Sequence, residues 1–316
     1  MRNLIAILLS ITMIIITYLN LDSIVEFTTL LASPPKAIMP LKTSEYEKDY
    51  SLSFVNKTEN YTPYSYQDIL NIFYTTINKG FENFTFYCPD EYTTCKADVE
   101  EISGNVYLLT HINNFVHPFN SFKSVNVQIS DSGETAVTIE YLYTSEEITK
   151  IDTRVKEITN ELIKPTDTDK EKIKIIHDYI IEHNKYDVLI NKNKVSPYSS
   201  SNAYGALFEG YAICNGYADL MAIFLNKMGF KNIKVATTPN EISYSNTGHI
   251  WNAVYLDNKW LHLDLTWDDP VSETGEDYLF YTYFLINSSE LYDVDNSGEV
   301  KYEEHNFNKS IYYEIK

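Results

Sequence analysis

Residues 202–269 constrain this chain more than any other stretch. Residues 202–230 read NAYGALFEGYAICNGYADLMAIFLNKMGF, and residues 248–269 read GHIWNAVYLDNKWLHLDLTWDD. In the first block Leu220, Met221, Phe224 and Leu225 recur at helical spacing and form one apolar stripe. Residues 218–228 are therefore predicted to be a helix, which Gly229 ends. Cys214 stands just ahead of it. In the second block apolar residues alternate on either side of Asp257 and Asn258, a pair suited to a two-residue hairpin turn. NIKVATT, between the blocks, reads as a further strand. A cysteine-headed helix packed on antiparallel strands is an α+β arrangement.

That order places chemistry. The first turn of a helix carries unpaired N–H groups and a partial positive charge, which favour a thiolate over a thiol. Gly210 and Gly216 flank Cys214 and suit a tight turn and close approach of a substrate. With Asp257 and Asn258 as the loop, Leu256 pairs with Lys259, Trp251 opposes Asp264, and His249 opposes Thr266. His249 and Asp264 then share a face as diagonal neighbours within side-chain reach. A carboxylate there fixes the tautomer of the imidazole, whose other nitrogen can meet the thiolate. His262 falls on the same face and is the competing base. Trp251, Trp260 and Trp267 suit the core or the wall of a cleft.

These blocks resemble the bacterial transglutaminase-like superfamily. The residues that carry the resemblance are a cysteine before a helix, GHIWN around His249 and WLHLDLTW around Asp264, with IHDYIIEHNKYD as a similar lead-in helix. The resemblance implies a papain/transglutaminase-like core, with Cys214 as nucleophile, His249 as general base and acid, and Asp264 as the orienting carboxylate. It further implies attack on a glutamine side-chain amide or a peptide carbonyl, through a thioester released to an amine or to water. The Cys214 backbone N–H would serve the oxyanion, with Tyr204 as a second donor. Papain-type enzymes carry Gln six residues before the cysteine; here that position is Phe208.

The rest of the chain frames this core. Residues 4–19 are uncharged and apolar behind Arg2, the pattern of an export signal or a retained anchor, so residues 1–22 are expected to engage a membrane. Residues 23–63, with Pro34, Pro35, Pro40 and Pro63, read as a linker. Residues 64–164 read as a small α+β domain. It has a helix over 66–79, a strand in FENFTFY, a hairpin around DSG, and the first of two helical patterns that Pro165 divides. Thr168 is the expected N-cap of the second. Residues 165–316 are the expected catalytic domain.

Cys88 and Cys95 bracket a short loop and can pair in an oxidising compartment, leaving Cys214 as the odd thiol. A net charge of −19 without a dense basic run sets nucleic acid aside as a partner. Near the C-terminus, DVDNSGEVKYEE follows an EF-hand loop. Asp293, Asp295, Ser297, Glu299 and Glu304 stand at ligand places and Gly298 at the turn, while Lys301 takes a place where oxygen is usual. Calcium is thus a candidate ligand, and the chemistry requires no cofactor. The reading is an extracytoplasmic thiol enzyme, membrane-anchored or secreted, performing acyl transfer on protein or peptide amides. The alternatives are a cysteine peptidase acting on surface proteins and a binding module that keeps the fold without turnover.

Overall fold

The computed structural model describes residues 52–58, 61–191, 194–237, 248–270, 278–292, 305–309, 312 and 315. All lie in one compact unit, Leu41–Lys316. The expected leader or anchor at 1–22 lies outside the described residues, as do Asp293, Asp295, Ser297, Glu299 and Glu304. No helix among the described residues is long and apolar enough to cross a membrane.

Helix α1 (Tyr66–Asn78) starts at Ser65, whose hydroxyl accepts from the Asp68 N–H. Strand β1 (Asn83–Tyr87) follows, then α2 (Cys95–Gly104) and α3 (Val106–Phe115). Strands β2 (Phe122–Ile129) and β3 (Glu134–Tyr141) form the hairpin expected around DSG, and the three strands pair antiparallel in the order β1-β3-β2. A Cys88–Cys95 disulfide joins the end of this sheet to the start of α2.

Helices α4 (Ser145–Leu162) and α5 (Asp169–Glu182) each begin in a complete capping box, Thr144 with Glu147 and Thr168 with Glu171. Reciprocal caps of this kind stabilise a helix start by about 1 kcal/mol. They also define two helices where Pro165 forbids one. Short strands β4 (Lys185–Tyr186) and β5 (Tyr211–Ala212) pair in parallel and lead into α6 (Cys214–Lys227).

Strands β6 (Asn232–Ala236), β7 (Ile250–Leu256) and β8 (Lys259–Leu263), the short helix α7 (Leu265–Asp268) and strand β9 (Phe284–Ile286) complete the core. The antiparallel sheet runs β6-β7-β8-β9. Leu256 pairs with Lys259 across Asp257 and Asn258, both at positive φ, as a primed two-residue turn requires. Pairing runs only to Asn252–Leu263. The segment LTWD, expected as strand, turns into α7 because the Asp264 side chain caps the Thr266 and Trp267 N–H groups.

Both faces of this sheet are covered. Val254, Leu256, Leu261 and Leu263 pack with Leu220, Met221 and Phe224 of α6. Ile233, Val235, Trp251 and Ala253 pack with Ile69, Phe73 and Ile112 of α1 and α3, and with Phe307, Tyr312 and Ile315. Alternate residues of β7 thus face opposite ways, as a pleated strand demands.

Residues 64–164 share a hydrophobic core with the sheet, within the unit Leu41–Lys316. The end of the expected linker is not free of the fold. Leu52 is buried, the Val55 N–H donates to Thr75 Oγ1 at 2.9 Å, and the Phe54 ring stacks on Tyr74.

Candidate active site

Cys214 is the first residue of α6, and Ile213 before it supplies no side-chain cap. The N–H groups of this helix start are therefore not consumed by a serine, threonine or aspartate, the usual caps. Cys214 is half-buried, and its thiol lies 3.7 Å from Asn215 Oδ1. Gly210, at φ 70, makes the left-handed turn that brings the chain back toward β4. Gly216 serves a different closeness from the one its sequence position suggests. A Cβ there would sit 2.4 Å from the Ser200 carbonyl oxygen, so the chain's own 199–202 segment occupies the space.

His249 stands just before β7, its backbone N–H donating to Thr237 Oγ1 at 2.8 Å. Its Nε2 lies 2.5 Å from Asp264 Oδ2. A carboxylate oxygen only accepts, so Nε2 carries the proton. The remaining ring nitrogen, Nδ1, is not engaged by Asp264, and Cys214 is near enough to the ring to favour its charged form. Burial alone would push the imidazole pKa down. The Asp264 carboxylate outweighs that, Cys214 adds to it, and the ring is pushed up to about 10.

Asp264 is almost completely buried. Burial disfavours its charge, but the charge and hydrogen bonds of His249 and His305 hold the carboxyl well below the usual range. Oδ1 accepts from the Thr266 N–H at 3.0 Å and the Trp267 N–H at 3.4 Å. Oδ2 accepts from His249 and also from His305 Nε2 at 2.6 Å. The atoms of His249, Asp264 and His305 lie within 4.8 Å of one another, a spacing that these two hydrogen bonds account for.

Both ring nitrogens of His262, the competing base, are engaged by other side chains. Its Nδ1 accepts from Trp251 Nε1 at 2.9 Å, and its Nε2 meets Ser288 Oγ at 2.9 Å. Burial pushes its pKa down to about 3, with His305 adding to the effect, so the ring is neutral. Tyr204 packs on Phe208 with ring centroids 4.9 Å apart, and its backbone N–H donates to Asn202 Oδ1 at 2.9 Å. No hydrogen bond among the described residues joins Tyr204 to Cys214. Trp251 lies parallel to the His249 ring at 5.7 Å, and Trp267 meets it edge-on at 6.4 Å.

Two buried links hold the helix to its sheet. Asn252 Nδ2 donates to the Ala218 carbonyl of α6 at 2.9 Å. Lys234 of β6 pairs with Asp219 of α6 at 2.5 Å, and Tyr143 donates to the same carboxylate at 2.7 Å. A further buried pair, His177 Nε2 to Asp268 Oδ2 at 3.2 Å, ties α5 to α7.

A cysteine at a helix start, beside a histidine and an aspartate at the open end of a hairpin, defines a papain-like thiol fold. Residues 156–265 match the model of the transglutaminase-like superfamily, so the chain carries a transglutaminase-like domain, and this stretch contains Cys214, His249 and Asp264. The chain is 24% identical over 158 residues to the kyphoscoliosis peptidase of Mus musculus, covering 46% of this chain and 23% of that protein. It therefore spans about a quarter of the length of the curated relatives it matches. Among solved structures, one described as a crystal structure of a TGase has a TM-score of 0.34 at 17% identity, covering 58% of this chain and 52% of that one. The periplasmic domain of TgpA from Pseudomonas aeruginosa has a TM-score of 0.29 at 13% identity, covering 46% and 62%.

Proposed function

We propose that the chain is a thiol acyltransferase or hydrolase acting on protein or peptide amides, with Cys214 as nucleophile, His249 as base and acid, and Asp264 as orienting carboxylate. One observation carries the reading. The His249 Nε2–H is committed to Asp264 at 2.5 Å, which keeps the other ring nitrogen out of that bond, and Cys214 at the α6 start is near enough to influence the ring.

The chemistry follows from that tautomer. The Cys214 thiol passes its proton to His249 Nδ1, giving a thiolate–imidazolium pair. The thiolate attacks the amide carbon, and the carbonyl oxygen takes the negative charge. The N–H groups at the α6 start, which no side chain caps, would stabilise it, Cys214 among them. The intermediate collapses as the imidazolium gives its proton to the leaving nitrogen, releasing ammonia from a glutamine side chain or an amine from a peptide. A thioester remains. An amine or water then attacks it, loses a proton to His249, and the bond to sulfur breaks to restore the thiol.

The name of the mouse relative favours a peptidase outcome, in which water resolves the thioester. A site outside the cytoplasm is supported by the Cys88–Cys95 disulfide, since such bonds persist in oxidising compartments. The test is incubation with a glutamine-peptide library and a biotinylated amine. Biotin incorporation that Cys214→Ala abolishes is the expected result for acyl transfer, and thiol-dependent cleavage without incorporation marks a peptidase. Neither product at any substrate tested, with a thiol no more reactive than free cysteine, overturns the enzyme reading.

A further inference from the structure

His305 lies outside residues 156–265, and it reaches Asp264 from the C-terminal part of the chain. It is fully buried. Its Nε2 is 2.6 Å from Asp264 Oδ2, the same oxygen that His249 Nε2 reaches at 2.5 Å. With two backbone N–H groups on Oδ1, the carboxylate accepts four hydrogen bonds, about its full capacity. The His305 ring is clamped. Tyr283 stacks on it at 4.8 Å, the Trp251 ring meets it at 4.9 Å, and the His249 ring stands perpendicular at 5.2 Å.

We propose that His305 is a positioning residue for the triad, fixing the Asp264 carboxylate and sharing its Oδ2 with His249. This rests on the triad reading above. The physical consequence has two parts. A carboxylate held at four points cannot rotate away from His249, so the imidazole keeps its orientation toward Cys214. A second donor on Oδ2 also draws electron density from the oxygen that His249 uses, which moderates how firmly His249 keeps its proton. The titratable groups around the ring are Asp264, His249, His262 and Tyr283, with Asp268 and Cys214 one contact further out. His262 is neutral, so it does not compete for the carboxylate.

The experiment is the pH profile of iodoacetamide alkylation of Cys214, from pH 4 to 11, in the full chain, His305→Gln and His305→Ala. Glutamine retains an N–H donor at a similar reach. His305→Gln is expected to keep the wild-type rate near pH 6. His305→Ala is expected to lose about tenfold there, with its upper inflection moved up by about half a pH unit. Superposable profiles for all three proteins, with only melting temperature lowered, would make His305 a packing residue and overturn the inference. A wild-type Cys214 that reacts no faster than a free thiol would bring down the triad reading itself and this inference with it. Fast wild-type alkylation unchanged by His305 substitution removes only the latter.

Discussion

His249 and Asp264 meet just beyond the last hydrogen-bonded pair of their hairpin, Asn252–Leu263, with Nε2 and Oδ2 2.5 Å apart. The β7–β8 ladder holds neither residue, while the outer strands bond both: the Thr237 N–H donates to the His249 carbonyl at 2.9 Å and the Asp264 N–H to the Tyr283 carbonyl at 3.2 Å. His249 is fixed by its backbone bond to Thr237, and Asp264 by capping α7. The hairpin delivers the two residues to one place, and local bonds at its open end set the final geometry.

Asp264→Asn should therefore lose more than a charge. The amide can present a donor to Nε2, which favours the wrong imidazole tautomer. The expected loss of turnover is on the order of a thousandfold or more, with substrate binding little changed. Separate kcat and KM values on whichever amide substrate proves active will check this.

The pair also predicts how stability varies with pH. The folded pKa of His249, about 10, lies above its ordinary value of 6.5. Its contribution to stability is thus complete below about pH 6.5 and is lost as pH rises through about 10. The partner carboxyl is depressed, so the same interaction is present above the ordinary carboxyl range and lost in strong acid. The melting-temperature gap between the wild type and His249→Ala should narrow steadily from pH 7 to pH 10. A gap that stays constant over that range contradicts the assignment.

Lys234 and Asp219 form a buried ion pair between β6 and the cysteine helix, with side chains 3% and 5% exposed. Lys234→Met should destabilise the fold by about 3–5 kcal/mol, because it strands the Asp219 charge. The double variant Lys234→Met/Asp219→Leu should recover part of that loss. Urea unfolding of the two variants and the wild type measures both terms.

Gly216→Ala places a methyl group against backbone rather than a yielding side chain, 2.4 Å from the Ser200 carbonyl oxygen. It should shift the 199–202 segment or the helix start. The expected result is a lowered melting temperature together with slower alkylation of Cys214. An unchanged protein would show that the 199–202 segment gives way without consequence.

Local signals carried much of this fold. The parity of the hairpin, the turn at Asp257-Asn258, the two capping boxes and the apolar stripe of α6 all act between near neighbours, and each is readable in the letters. Helices α2 and α3 were not read from the sequence, because α2 buries only Cys95, Val99 and Ile102 and its apolar face is weak. Asn105, which caps Leu108, was the available signal for α3. His305 had no local signal at all. It is 41 residues from the carboxylate it binds, and only the packing of the C-terminal part against Trp251 and Tyr283 brings it there. The shared core of residues 64–164 with the β6-β7-β8-β9 sheet is likewise a tertiary fact, invisible to periodicity.

The account depends on a thiolate that His249 sustains at Cys214. The direct measurement is the rate of iodoacetamide alkylation at pH 6, where an ordinary thiol is almost wholly protonated. Fast labelling confined to Cys214, falling by about a hundredfold in His249→Ala, is the predicted result. Labelling at the rate of a free thiol, or equal rates in the two proteins, would contradict it.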